Sequence, residues 1–145
     1  MRSEFAKRDI APFLAAQITG ALLGVVAAHA MFDLSLLQIG DKARNGLAQW
    51  WSEVAATFGL VLVVLSCDPK RPWAAPIAVG GYIAAAYWFT ASTSFANPAV
   101  TLARGFTATF SGIRPDDVGP FVAAQFVGAW LALAADRALR PPAST

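Results

Sequence analysis

The chain holds one cysteine, Cys67, and one histidine, His29. A lone cysteine cannot close an intrachain disulfide or build a cysteine-based metal cluster, so neither staples nor a resident metal is expected. Charge is scarce too: charged residues make up 14% of the sequence against 57% apolar ones, and the mean hydropathy is +0.52. A soluble domain of 145 residues carries more charge than this, which makes membrane the first reading. The charges fall between apolar runs, so the net charge of +2 reflects short connecting loops. No basic stripe interleaved with aromatics is present, which argues against nucleic acid as a partner. Catalysis has no support either, because the sequence holds no phosphate-cradling loop and no nucleophile–base pair; no cofactor is expected.

What is present is a set of long apolar runs. The first, IAPFLAAQITGALLGVVAAHAMF from Ile10 to Phe32, is too long for a signal-peptide core and has no convincing cleavage site. It reads as a transmembrane helix, with Asp9 as its N-cap and Pro12 in the tolerant first turn. Further spans are expected at about residues 50–67, ending at the breaker DPKRP, at about 73–91, and at about 118–139. Together they predict an all-α polytopic membrane bundle, residues 1–145 forming a single membrane domain.

Between the last two spans lies STSFANPAVTLARGFTATFSG, residues 92–112. Asn97 is a good N-cap, Pro98 sits where its missing N–H costs nothing, and Gly112 followed by Pro115 closes the segment. The spacing predicts a helix over about 97–111, roughly 20 Å long against a hydrocarbon thickness of about 30 Å. Such a helix crosses part of a bilayer and starts at membrane depth. Polar backbone is tolerated there only when buried in protein or lining a watery cavity, which is how a channel or transporter part is built.

Charge gives the orientation. Arg2, Lys7, Arg8, Lys70, Arg71, Arg137 and Arg140 fall on one side of the alternating spans; Lys42, Arg44, Arg104 and Arg114 fall on the other. The positive-inside rule then puts both termini and the DPKRP loop in the cytoplasm, with the half-helix hanging from the outer face. The chain also repeats itself. PFLAAQITGALLGVVAA (12–28) and PFVAAQFVGAWLALAAD (120–136) share Pro, Phe, Gln and Gly in register. The second copy follows a capped half-helix, so the first should follow one as well, and residues 1–9 are too few to hold it. An inverted repeat of this kind reads as an incomplete pore whose missing piece is two spans and a matching half-helix.

The triplet Asn97-Pro98-Ala99 on a short helix between spans, with Gln17 in the first span, Glu53 in SEVAATFGLVLVVL and the glycine-bearing stretch Gly80–Phe89 before it, resembles the major intrinsic protein family of aquaporins and glycerol facilitators. The resemblance covers nearly the whole chain and matches the later part of a family member, from its third span to its sixth. It implies a partial aquaporin-like fold of four transmembrane helices and one re-entrant half-helix, acting as a passive channel, or part of one, for water and small uncharged solutes such as glycerol or metalloid hydroxides. The positive end of the half-helix would point at the midplane, and Asn97 would present its amide N–H to the solute.

The other site residues follow from the same resemblance. Val100 stands where the family places a filtering arginine, which implies a wider and less polar constriction. Arg104 lies one turn further along the same face; leaning over the mouth and binding the surface are both open to it. Tyr87 offers an aromatic to the constriction or to the lipid interface. Glu53 is expected to brace the re-entrant backbone, with Gln17 as a second structural support. His29 reads as packing or interfacial. Partners expected are the lipid bilayer, small neutral solutes, a complementary half-pore chain and further copies in a homo-oligomer. The alternative function is a truncated, non-conducting membrane scaffold.

Overall fold

The computed structural model describes residues 6–139, and all regular structure among them is helical. Arg2 and Arg140 of the charge count, and the two ends of the expected domain, lie outside the described residues. The helices are α1 (Ile10–Met31), α2 (Leu47–Ser66), α3 (Ala74–Phe89), α4 (Pro98–Arg104) and α5 (Pro115–Leu139). Three of them, α1, α2 and α5, are long and apolar enough to cross a membrane. The third expected span is shorter than its sequence suggested: α3 has 16 residues, roughly 24 Å of helix.

Local chemistry sets most of the boundaries. Asp9 does not cap α1; it sits in helical backbone at the end of a 3-10 turn, Lys7–Asp9, and makes no side-chain cap bond. Gly46 starts α2 at φ 93°, a conformation that glycine adopts without steric cost, which moves the helix start three residues ahead of Trp50. Pro115 opens α5 with Asp116 and Asp117 in the first turn, where the missing N–H is harmless and negative charge is favoured.

The half-helix differs most from its expectation over 97–111. It has seven residues and stops at Arg104. Its terminal carbonyls are captured from outside: the Ile113 N–H donates to Arg104 O (3.2 Å) and the Gly40 N–H to Gly105 O (2.8 Å). Once those acceptors are satisfied by other segments, continuing the helix gains nothing.

Helices α2 and α5 form the most extensive pairing. Glu53, Ala56 and Thr57 make the buried face of α2; Phe121, Ala124, Gln125, Gly128 and Ala132 make that of α5. Both follow the i, i+3, i+4 spacing of one helix face. The backbones approach so closely at Gly128 that a side chain there would run into Val54 O and the Phe58 amide. By contrast, α1 buries only His29 and packs against α4, leaving its apolar surface uncovered.

Because the crossing depends on that absent side chain, Gly128→Leu should destabilise the bundle by about 1–3 kcal/mol through overpacking. Thermal unfolding in detergent measures this. An unchanged midpoint would show that α2 and α5 do not cross this closely.

Candidate functional site

The site begins with backbone in an uncommon conformation. Thr93, Ser94 and Ala96 have φ of 61°, 48° and 46°. None is glycine, and Thr93 is β-branched, so each position costs on the order of 1–3 kcal/mol. This strained turn carries the chain from α3 back into the protein interior, where Ser92, Ser94, Phe95 and Ala96 are all buried. At Asn97 the chain switches to helix. Asn97 Oδ1 accepts from the Ala99 N–H (2.8 Å) and the Val100 N–H (3.3 Å), with Pro98 at the first helical position.

A single carboxylate holds the turn in place. Glu53 of α2 is fully buried; its Oε1 accepts from the Phe95 N–H and its Oε2 from the Ala96 N–H, both at 2.9 Å. Gln125 of α5 donates through Nε2 to Glu53 Oε2 and to Thr101 Oγ1, each at 2.7 Å. The Thr101 hydroxyl in turn donates to Asn97 O (2.8 Å). Two helices, through the buried side chains Glu53 and Gln125, therefore grip the chain on both sides of the Asn97 cap.

Val100 and Arg104 line a cavity of about 590 Å³ between α4 and α1, with Gly24, Ala28 and His29 on the α1 side. Asn97 and Val100 are half-buried and Pro98 is exposed. Tyr87 is half-buried with its ring packed edge-on against Trp88 (5.6 Å), and it does not line this cavity. Gln17 lies exposed on α1. The bracing in this chain comes from Gln125, its partner in the internal repeat, which the repeat already marked as a glutamine in a shared register.

Two further residues carry the geometry without having stood out in the sequence. Arg44 is 3% exposed; Nε donates to Gly112 O (2.7 Å), Nη1 to Ser92 O (3.0 Å) and Nη2 to Phe110 O (3.0 Å). Burial lowers its pKa from the ordinary value, with the charge of Glu53 opposing. Phe95 is the second. Its ring lies 4.8 Å from the Arg44 guanidinium and 4.2 Å from that of Arg104, and it meets Phe121 edge-on at 5.3 Å. The two guanidiniums are thus at most about 9 Å apart and repel by about 2 kcal/mol at an effective dielectric near 20. Nothing in a linear pattern brings residues 44, 95 and 104 together.

His29 is packed rather than interfacial. Nδ1 lies 3.1 Å from Leu36 O, which can only accept, so Nδ1 carries the proton. In the neutral ring Nε2 then accepts from the Thr107 hydroxyl at 2.8 Å.

Comparison with known proteins agrees with this architecture. The chain is 53% identical over 143 residues to Aquaglyceroporin AqpS of Rhizobium meliloti (strain 1021), a match that takes in 99% of this chain. The chain spans 61% of that relative's length. No protein-family model and no solved structure matches it. The similarity bears out the resemblance to the major intrinsic protein family, and with the apolar helices it makes the chain a multi-pass membrane protein with a partial aquaporin-like helical bundle.

Removing the carboxylate should release the turn. Glu53→Ala leaves the Phe95 and Ala96 amides and the Gln125 side chain without their acceptor, at about 1–3 kcal/mol for each orphaned group. Hydrogen exchange at the Phe95 and Ala96 amides should then accelerate by at least about tenfold. Wild-type protection in the variant would show that other contacts hold the turn.

Proposed function

We propose that this chain is part of a passive transmembrane channel for water and small uncharged solutes, such as glycerol or metalloid hydroxides. The observation that carries the reading is the buried non-helical turn ending in the Asn97 cap, held by Glu53 and Gln125 between two apolar helices. Backbone of this kind belongs at membrane depth only beside protein or a watery path. The name of the AqpS relative points the same way, toward a channel and away from an enzyme.

In this reading Asn97 spends its side-chain oxygen on the helix cap and presents its amide N–H to the solute. Pro98 and Ala99 fix the cap, and Val100 and Arg104 shape the constriction. Glu53 braces this half from α2. Gln17 is exposed on α1, and in this reading it braces the complementary half as Gln125 braces this one. The protein sits in the cell membrane with both termini cytoplasmic, and it conducts once a complementary half-pore completes the lining; copies of the complete unit can associate as a homo-oligomer.

The test joins this chain to the part of AqpS outside the matched segment and follows water and glycerol by stopped-flow in liposomes. Both solutes should permeate, while the chain alone stays at background. Val100→Arg should cut glycerol flux roughly tenfold, equivalent to about 1.4 kcal/mol at the constriction, and water flux much less. A fused protein at background permeability would sink the channel reading in favour of a non-conducting scaffold.

Topology has its own check. In a Cys67→Ser background, a cysteine introduced at the exposed Asp116 should react with membrane-impermeant reagents added outside intact cells. Labelling only after the cells are opened would reverse the orientation.

A further inference from the structure

The loop that joins α1 to α2 carries a stretch, LSLLQIG (34–40), without a charged residue. Three of its apolar side chains are turned outward: Leu36 is 50% exposed, Leu37 86% and Ile39 71%, and Met31 at the end of α1 is 77% exposed. A single exposed leucine needs no explanation, but a group of them on one short loop does. Phe32 and Leu34 line the cavity beside α4, and these four residues do not.

The loop is held in this form by its own hydrogen bonds. Ser35 Oγ donates to Leu37 O (3.3 Å), Gln38 Nε2 to Ser35 O (2.9 Å), and Gln38 Oε1 accepts from the Ala108 N–H (2.9 Å). The Gly40 N–H donates to Gly105 O (2.8 Å), and the backbone there lies so close to Ile113 O that no side chain fits between them. Nor does the loop stand away from the helix end. Leu36 O accepts from His29 Nδ1 at 3.1 Å and the Leu34 N–H donates to His29 O at 2.8 Å, which brings the stretch back to the last turn of α1. His29 lies two residues before the end of α1, about 3 Å along its axis. The 22 residues of α1 reach roughly 33 Å, against a hydrocarbon thickness of about 30 Å. Leu36 therefore stands at the level where hydrocarbon gives way to headgroups.

From this we infer that the loop is an interfacial anchor: Leu36, Leu37 and Ile39, continuing the apolar end of α1 at Met31, insert into the acyl-chain boundary of one leaflet. The partner is a phospholipid surface. Apolar side chains gain by leaving water, and no charge within the stretch opposes the insertion; Asp33 and Asp41 bracket it and stay among the headgroups. A protein partner would ask for hydrogen bonds at its rim, and the two polar side chains of the stretch, Ser35 and Gln38, are committed to the fold. A lipid surface asks for none. The anchor rests on α1 spanning the bilayer and not on conduction. It ties the leaflet to the site, because the Gly40 N–H bonds the carbonyl of Gly105, the C-cap of α4.

The test is spin labelling of the full chain in phosphatidylcholine vesicles, with Cys67→Ser removing the one native cysteine. Nitroxides attached through Leu37→Cys and Ile39→Cys should collide with oxygen, which concentrates in the bilayer, in preference to a water-soluble nickel chelate. Leu23→Cys on the exposed surface of α1 and Lys70→Cys in the loop between α2 and α3 set the lipid and water limits. The oxygen-to-nickel ratio at 37 and 39 should exceed that at 70 by roughly threefold or more. Asp41→Cys should give the water value; a lipid value there would mean that the nitroxide seeks the bilayer unaided, and the inference would fall. Joined to the remainder of AqpS, the chain should keep the same ratios at 37 and 39. Water values at those two positions would overturn the anchor. So would labels shielded from both colliders, which would put a second copy or the complementary half on the loop. The channel reading is decided separately, by flux.

Discussion

One buried carboxylate sets the geometry on which the rest depends. Glu53 accepts from two consecutive amides of a turn that no local preference would choose, and from the Gln125 side chain on a different helix. Its three charge-assisted bonds are worth on the order of 5 kcal/mol together, and burying the ion costs several kcal/mol in return. The two terms nearly offset, so the carboxylate adds little net stability. Its contribution is geometric. Phe95 and Ala96 must face α2, which leaves Asn97 at one depth and α4 pointing in one direction.

Such a turn needs this grip. Three non-glycine residues with positive φ store a few kcal/mol of strain, and only contacts that over-determine their backbone keep them there. The second leg of the re-entrant segment is held differently. It returns through residues 105–113, laced to the loop between α1 and α2 by Gly40, Lys42 and Arg44. The first leg is thus fixed by buried side chains of two helices and the other leg by a loop. Close packing of α2 on α5 at Gly128 is what brings Glu53 and Gln125 within 2.7 Å, so helix packing and cap geometry form one system.

Much of this was legible in the sequence because it is written in local signals. Long apolar runs mark α1, α2 and α5; Asn97-Pro98 marks the start of α4; an acid alone in an apolar span marks Glu53 as something to be satisfied. Other parts depend on partners distant in sequence. The early end of α4 comes from Gly40 and Ile113 supplying the donors, and no pattern between residues 97 and 112 encodes them. Gln17 and Gln125 share a register but not a setting, since one is exposed on α1 and the other is buried against Glu53. Arg44 read as one of four cations on one side of the spans. Its burial follows from three carbonyls brought together by segments 48 to 68 residues away.

The position of the second arginine explains how two like charges share one ring. Arg104 is the last residue of α4, where the helix carries its partial negative charge, and a cation there is favoured by about 0.3–1 kcal/mol. Stacking on Phe95 adds about 0.5–2 kcal/mol for each guanidinium as desolvation increases. Those gains are of the same size as the mutual repulsion of about 2 kcal/mol. The arrangement is therefore tolerated without a carboxylate to neutralise it, and adding one would place a negative charge beside the cavity that α4 and α1 enclose. Val100 is small and apolar, and one turn further along the same face Arg104 keeps a positive charge beside the cavity, held by an aromatic ring in place of an ion pair.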